Sequence, residues 1–522
     1  MNQTSIASFA ALYRIAQIRQ IEATVKASLP AGSLMRSAAS AAAEFAKKII
    51  SPHNEKILVL AGPGDNGGDA LETAQLLSAA GFKVTVILCD VNSHYSIDAQ
   101  QSLQHARASE ATFITIELFL IDSNGQWGLI IDGIFGIGLT RAIAGPIAFL
   151  IQQVNQLSQK YHIPVLALDV PSGLTADTGQ INGENGITVQ AIKASHTITF
   201  IGNKPGLHTA AGRDYSGQIE LADLAISSNF FPKPAALLTQ ASMFTKLAKP
   251  RLSDSHKGSY GDVLIIGGAP GMTGAPILAA RSALYCGTGR VYVGFIGMPP
   301  MFDNQHPELM CRSAQDFDFG KSIIVIGPGL GASAEAKQLL SRALNDALTM
   351  VIDADALNLI ASDTSLQKLL AERHARERTT IMTPHPLEAA RLLGATTKKI
   401  QADRLSSAQS LASKFKSCVV LKGAGSVIAT CNGATFVNST GNPALATAGT
   451  GDVLAGVCGA LLAQGASESE AASYAVWLHG LAADTLVAQR MGPIGLTASE
   501  LIPAIRSCLN KFVADSNSGF GS

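Results

Sequence analysis

Charge of either sign is scarce in this chain. Only 15% of its 522 residues are Asp, Glu, Lys or Arg, and 39 basic residues balance 39 acidic ones to a formal net charge of zero. No long-range field is available to hold a polyanion or an anionic lipid surface, so neither nucleic acid nor a membrane is an expected partner. Cysteine is also sparse. The seven present (Cys89, Cys286, Cys311, Cys418, Cys431, Cys458 and Cys508) form no CxxC pair, and an odd number cannot all pair internally, which excludes a disulfide framework and fits a reducing, cytoplasmic setting. Long hydrophobic runs are missing: Val453 to Ala463, broken by Gly456 and Gly459, falls far short of the ~20 residues a membrane span requires. The opening MNQTSIASFAALYRIAQIRQIE has no basic stretch ahead of an apolar run and continues as an amphipathic helical pattern, so no secretion leader is expected there.

What is abundant points to an enzyme-like α/β chain. Hydrophobic residues make up 47% of the sequence and glycines number 49, a composition of compact, loop-rich α/β proteins. The length exceeds what one core usually serves. Strand-like runs alternate with helical ones: ILVLA (57–61), KVTVILCD (83–90), GLIIDGIFG (128–136) and VLALDVPSG (165–173). The alternation restarts at DVLIIGG (262–268) and continues through RVYVGF, SIIVIGPG, TMVIDAD, TTIMTPHP and CVVLKGAG. Two parallel sheets flanked by helices are expected, in domains 1–235 and 236–522. The stretch Ser227 to Lys257 between them, with three prolines and no strand periodicity, reads as a crossing segment.

In the first half, Gly62-Pro63-Gly64-Asp65-Asn66-Gly67-Gly68-Asp69 separates a strand from the helical pattern ALETAQLLSAAG. Glycines at such a turn let backbone N–H groups approach a phosphate, with the positive end of the helix behind them. Gly62, Gly64 and Gly67 also satisfy GxGxxG, with Asp90 where a dinucleotide fold places its ribose acceptor. A glycine-rich turn can equally serve geometry alone. Two further strands end in acidic, glycine-bearing loops, Asp132-Gly133-Ile134-Phe135-Gly136-Ile137-Gly138 and Asp169-Val170-Pro171-Ser172-Gly173. Carboxylates at the C-terminal ends of parallel strands converge on the crevice where such sheets bind ligands. Asn66, Asp132 and Ser172 together offer oxygens suited to a hard monovalent cation. The competing reading of Asp169 is a cap on the turn before Pro171.

These residues resemble the epimerase domain of the NAD(P)H-hydrate repair enzymes, whose glycine loop, D-x-x-FGTG loop and D-x-PSG loop are seen here as GPGDNGGDA, DGIFGIG and DVPSG. SLMRSAASAAAEFA looks like that domain's first helix, and Lys204-Pro205-Gly206 like its KPG element; the likeness spans roughly residues 10 to 225. Asp65, Ala70, Ile137 and Arg36 depart from the family's usual residues. The resemblance implies a Rossmann-like three-layer α/β/α domain that interconverts the R and S forms of hydrated NADH and NADPH. It implies Asp169 as the acid/base group. Asp65, Asn66, Gly67, Gly68 and Asp69 would line the substrate together with Gly136, Ile137, Gly138, Leu139, Thr140, Arg141 and Ala142. Potassium would be held by Asn66, Asp132 and Ser172.

The strongest signal of the second half is Gly449-Thr450-Gly451-Asp452-Val453-Leu454-Ala455-Gly456, followed by helical apolar spacing to Leu462. Unpaired N–H groups at the start of a helix form an anion hole, and Asp452 projects there as a base. An acidic N-cap is the plainer alternative. No GxxxxGK[ST] occurs, which excludes a P-loop mechanism. Other loops stand at strand ends: His256-Lys257-Gly258, Gly267 to Ala275, Gly327 to Gly331, Thr383-Pro384-His385-Pro386, Lys422-Gly423-Ala424-Gly425-Ser426 and Asn442-Pro443. His385 by itself reads as a structural histidine as readily as a ligand. Lys422, after a buried-looking strand, reads as a phosphate contact or as a solvated lysine.

Together these loops resemble the ribokinase-like dehydratase domain of the same repair system, over roughly residues 240 to 515, with Leu387 and Gly425-Ser426 as departures. The resemblance implies that Asp452 is catalytic and that Ala275, Gly331, His385 and Asp452 contact the hydrated dinucleotide. Lys422, Gly423, Ala424, Gly425, Ser426 and Gly451 would hold ADP, supplied with magnesium. Phosphorylation of the ring hydroxyl and loss of phosphate would then return NAD(P)H, leaving AMP and phosphate. The partners implied are hydrated NADH or NADPH and ADP, in a homo-oligomer. Two other readings remain open: a small-molecule kinase of the ribokinase superfamily with an accessory Rossmann-like domain, and a non-catalytic nucleotide sensor. The paired NGGD and DVPSG loops speak against the first, and the presence of both Asp169 and Asp452 against the second.

Overall fold

The computed structural model describes residues 9–89, 95–121, 127–139, 142–181 and 190–518. It divides into two compact units, Met1–Leu237 and Leu238–Ser522.

The first unit is built on seven parallel strands in the order Thr112–Ile114, Lys83–Leu88, Lys56–Ala61, Leu129–Gly133, Val165–Leu168, His196–Phe200, Gln218–Ala222. The central strands are buried along nearly their whole length because helices cover both faces, so they read as continuous apolar runs without alternation. One face packs against Ser33–Ile49 and Asp65–Ala79 through residues such as Ala42, Ile57, Val59 and Leu71. The other packs against Gly145–Tyr161 through Leu58, Leu60, Leu150 and Val154. Strand order reverses between Lys56–Ala61 and Leu129–Gly133. The loops leaving these two neighbours therefore diverge to opposite faces and open a crevice at their C-terminal ends.

The structure alters the expected reading of the glycine-rich turn. The helix starts at Asp65, so Asn66, Gly67, Gly68 and Asp69 belong to its first turns and not to a loop. A Cβ on Gly62 would stand 1.8 Å from the Ile134 carbonyl oxygen, and one on Gly67 would stand 1.8 Å from the Gly62 carbonyl oxygen. Both glycines are demanded by backbone packing that brings the helix start against the Ile134 loop. Gly64 has nothing within 4 Å of its would-be Cβ.

In the second unit the parallel strands run Cys418–Leu421, Thr379–Met382, Thr349–Ile352, Ile323–Ile326, Asp262–Gly267, Arg290–Phe295, Met310–Ser313. Val427–Ala429 and Thr435–Val437 extend the sheet as an antiparallel meander beyond Cys418–Leu421. The helix Thr450–Ala463 is apolar around most of its circumference because it is buried on nearly every side. Its Gly456 lies so close to the helix Gly274–Tyr285 that a Cβ would meet the Ala279 carbonyl oxygen at 2.0 Å.

The crossing segment is not strand-free as expected: Ala236–Leu238 is a short strand, and Ala236 and Leu237 pair antiparallel with Leu12 and Ala11. None of the seven cysteines forms a disulfide. Among the described residues no helix is long and apolar enough to cross a membrane.

Candidate functional sites

The crevice of the first unit is a cavity of about 450 Å³. Asp65, Asn66, Asp69, Gly136, Ile137, Gly138, Leu139 and Asp169 line it. Gly67, Gly68 and Ala142 do not, and Thr140 and Arg141, like Asp90, lie outside the described residues. Asp169 follows Val165–Leu168 and holds φ +64°, a left-handed conformation that non-glycine residues rarely adopt and that is kept where surrounding structure enforces it. Its N–H donates to the Ile198 carbonyl at 2.8 Å, which fixes the turn.

The Asp169 carboxylate accepts from the Lys204 ammonium and, at 3.3 Å, from the Thr199 hydroxyl. Lys204 is fully buried, and its ammonium also donates to the Thr199 hydroxyl and the Phe200 carbonyl, both at 2.8 Å. This set of acceptors offsets the cost of burying the ammonium and fixes it against the carboxylate. Glu22 and Asp69 line the same cavity. Burial raises the Asp69 carboxyl well above its ordinary value, helped by Asp169 and Asp65, and burial also raises that of Glu22. The crevice thus combines a lysine-held carboxylate with two carboxyls biased toward the protonated form.

Asp132 and Ser172 lie beneath the cavity, both with zero exposure. The Ser172 hydroxyl and N–H donate to the two Asp132 carboxylate oxygens at 2.6 and 2.8 Å, and the Ile134 N–H donates at 3.2 Å. Burial nonetheless pushes the Asp132 carboxyl up to about 6. Asn66 is buried with both amide atoms unpartnered, and its side chain packs against the Gly136 backbone. Buried polar groups are nearly always satisfied. The unpartnered Asn66 amide oxygen, the Asp132 carboxylate and the Ser172 hydroxyl are oxygen donors of the kind that fits a monovalent cation.

In the second unit the expected residues gather at the C-terminal ends of the parallel strands and at the start of Thr450–Ala463. Gly449, at φ +88°, caps that helix, and the N–H groups of Gly451 and Asp452 have no backbone partner among the described residues. Lys422 follows Cys418–Leu421; its ammonium donates to Asp353 at 2.8 Å and would stand 3.4 Å from a Cβ on Gly451. Lys422 is thus no solvated surface lysine: it bridges a buried carboxylate and the glycine loop. Thr383 donates to the same Asp353 oxygen at 2.7 Å. Burial, reinforced by Asp353, raises the Asp452 carboxyl to about 7, and burial raises that of Glu388 to about 7.

His385 caps the helix Pro386–Leu393. Its Nδ1 accepts from the Leu387 and Glu388 N–H groups at 3.1 and 3.4 Å, while its own N–H donates to Glu388 at 2.7 Å. Its Nε2 stays half exposed, 3.3 Å from Glu388. The Gly331 N–H donates to Asp355 at 2.9 Å, and Ala275 lies 3.4 Å from the would-be Cβ of Gly329 in the same loop. The Gly423 to Ser426 turn is closed by the Ser426 hydroxyl on the Gly423 backbone. Beneath it the buried Arg404 donates to the Leu421 carbonyl at 3.2 Å.

Sequence reading missed Glu22, Asp353, Glu388 and Arg404 and noted Lys204 only as part of a motif. Glu22 carried a signal: it falls on the face of Ile15–Lys26 that also holds Ile18, Ile21 and Val25, where a carboxylate is costly. Asp353 ends TMVID, a strand-end carboxylate like Asp132 and Asp169. Arg404 lies in a helix with no local mark of its role.

Two family models match separate stretches of the chain. A family model described as YjeF-related protein N-terminus matches residues 31–206, and one described as NAD(P)H-hydrate dehydratase matches residues 263–507. A bifunctional NAD(P)H-hydrate repair enzyme of Coxiella burnetii is 38% identical over 512 residues, covering 96% of this chain and 99% of its own. An ADP-dependent (S)-NAD(P)H-hydrate dehydratase of Neisseria meningitidis is 41% identical over 282 residues, covering 53% of this chain and 94% of its own. A crystal structure of the ADP/ATP-dependent NAD(P)H-hydrate dehydratase of Bacillus subtilis, co-crystallised with ATP and Mg²⁺, is 29% identical and covers 53% of this chain and 98% of its own, with a TM-score of 0.46.

Proposed function

The chain belongs to the bifunctional NAD(P)H-hydrate repair enzymes, and from that premise we propose how its residues divide the work. It is an epimerase and an ADP-dependent dehydratase in one polypeptide, with a Rossmann-like N-terminal domain and a ribokinase-like C-terminal one. The epimerase is assigned to residues 1–235 and the dehydratase to 236–522. A kinase with an accessory domain is the poorer reading, because the first unit carries a complete acid and base constellation of its own.

In the epimerase, the hydrated ring carries a hydroxyl and the ring nitrogen on one carbon. Asp169, held in place by Lys204, takes the hydroxyl proton; the carbon to nitrogen bond opens, leaving an aldehyde, and the nitrogen takes a proton from Glu22 or Asp69. Closure on the other face of the aldehyde reverses both transfers and yields the epimer, with no net change in atoms or charge. Acid and base act together only if one carboxyl is ionised while the other is protonated, which the raised Glu22 and Asp69 beside a lysine-held Asp169 support. Potassium at Asn66, Asp132 and Ser172 would supply a fixed positive charge under the cavity floor.

In the dehydratase, Asp452 takes the proton of the ring hydroxyl as that oxygen attacks the terminal phosphoryl group of ADP, which enters as its magnesium complex. The Gly451 and Asp452 N–H groups hold the moving phosphoryl, and Lys422 balances its charge. AMP leaves; the ring nitrogen's lone pair then expels phosphate, and the adjacent ring carbon gives up a proton to water or the departing phosphate, which restores the dihydronicotinamide. The observation that carries this reading is the Asp452 carboxyl raised to about 7 at the open N-terminus of a buried helix, beside the Lys422 to Asp353 pair. A general base poised near neutrality has both the ionised population and the basicity the step needs. A cytoplasmic homo-oligomer is the expected setting.

Incubating mixed hydrated NADPH with the protein and ADP, while following the dihydronicotinamide absorbance and AMP, tests both halves at once. Full conversion with one AMP per NADPH is expected. Conversion at the same rate without nucleotide overturns the phosphoryl-transfer reading, and consumption of half the mixture overturns the epimerase assignment.

A further inference from the structure

The second unit contains another cavity, of about 810 Å³, and Asp452, Lys422, Asp353 and His385 are all absent from its lining. Its size lies within the range of small-molecule sites. Its walls combine apolar and polar surface, and Leu247, Leu284, Leu461, Leu509 and Tyr285 supply apolar parts of the lining. The lining is basic at its polar edge, where Arg251, Arg506, Lys249 and His306 face a single carboxylate, Glu308.

Both arginines are held in place without being neutralised. The Arg251 guanidinium lies 3.7 Å above the Tyr260 ring and donates to the Gly287 carbonyl. That of Arg506 lies 4.5 Å above Tyr285. Among the described residues neither is paired with a carboxylate. Stacking on a ring fixes the plane of a guanidinium and leaves its donors free for a planar or tetrahedral anion. At the cavity wall Tyr474 is fully buried, and its hydroxyl has no hydrogen-bond partner. The Tyr474 ring stacks on that of Phe244 at 4.9 Å, which closes this wall.

We propose that this cavity is a binding site for an organic anion: an apolar body seated against Leu247, Leu284, Leu509 and the Tyr285 ring, with one phosphate or carboxylate at Arg251 and Arg506. Apolar walls with a few fixed polar groups are the pattern of a site that orients its ligand, and two preplaced guanidinium groups select a doubly bonded oxyanion.

The site carries its own reporter. The chain has two tryptophans, Trp127 and Trp477, and the Trp477 ring lies 6.1 Å from that of Tyr474. In a Trp127→Phe background, phenyl phosphate titrated into the full-length protein is expected to change Trp477 emission saturably. Phenol and inorganic phosphate, each half of the probe, should bind at least tenfold more weakly. Arg251→Ala and Arg506→Ala, both at exposed positions, should each weaken phenyl phosphate about tenfold while the melting temperature and the dehydration rate stay unchanged. No saturable change up to millimolar probe, undiminished binding in both arginine variants, or phenol binding as tightly as phenyl phosphate would each overturn the proposal.

Discussion

Asp452 is placed where a carboxylate serves chemistry at the expense of stability. Its pKa rises from 3.8 to about 7, so the folded form binds a proton that the unfolded chain has released across that interval. The contribution to stability is present in full below pH 4 and is lost as pH climbs to about 7. Asp452→Asn should therefore leave stability unchanged near pH 4 and raise it by on the order of 1–4 kcal/mol at pH 8, as denaturant midpoints at the two pH values would reveal. The same substitution should lower dehydration by about 10²- to 10⁴-fold or more, and in the unmodified protein dehydration should rise with pH through about 7.

Glu22 makes the opposite demand, because an acid must stay protonated. Epimerisation should fall as pH passes the raised Glu22 and Asp69 values, and Glu22→Gln should slow it at least tenfold. Loss of less than a factor of two in a stopped assay of R-form consumption would remove Glu22 from the mechanism.

At the level of elements, the junction of Thr450–Ala463 with Gly274–Tyr285 determines whether the phosphoryl-binding helix start stays in place. A Cβ on Gly456 would meet both the Ala279 carbonyl at 2.0 Å and the Ser282 hydroxyl at 2.1 Å. Neither neighbour can yield easily, since Ser282 donates at 2.8 and 2.9 Å to the Ala279 and Val453 carbonyls. Gly456→Ala should cost about 1–3 kcal/mol and depress dehydration more than epimerisation, measurable as a lowered melting temperature with the two activities assayed side by side. In the first unit, Asn66 is the element-level lever, since it brings the helix start to the Asp132 loop. Asn66→Ala should abolish any stimulation of epimerisation by potassium, leaving activity equal in potassium and in a large organic cation such as tetramethylammonium.

Across the whole molecule, two sheets with separate acid and base groups predict separable activities. Asp169→Asn should still dehydrate the S form, while the R form disappears only at its spontaneous epimerisation rate. A progress curve on the mixture would then show a fast phase of normal amplitude and a slow tail. Asp452→Asn should show the complement: no dehydration, but equilibration of a pure epimer. If Asp169→Asn consumed both forms as the unmodified protein does, the first unit would be an accessory domain.

Much of this was legible in the residues themselves. Parallel strands buried on both faces read as continuous apolar runs, so ILVLA, VLAL, DVLIIG and CVVL stood out, as did the acidic glycine-bearing loops that follow several of them. Those loops carried Asp169, Asp132 and Asp452, because strand-end and helix-start positions are marked by local chemistry. The short strands Thr112–Ile114, Val427–Ala429 and Thr435–Val437 were not legible, since three residues carry no period and form only when a neighbour supplies the ladder. The start of the helix at Asp65 was hidden too, because close approach of Gly62, Gly67 and the Ile134 loop overrides the low helix propensity of paired glycines. Which carboxylates share a charge was decided only by the fold. Lys204 meets Asp169 across 35 residues and Lys422 meets Asp353 across 69, and no local pattern encodes which lysine a buried aspartate will find. Sequence by itself determined the two parallel-sheet halves and the loops where chemistry would be placed; tertiary packing decided which side chains meet there, because burial and charge pairing exist only once distant segments have been brought together.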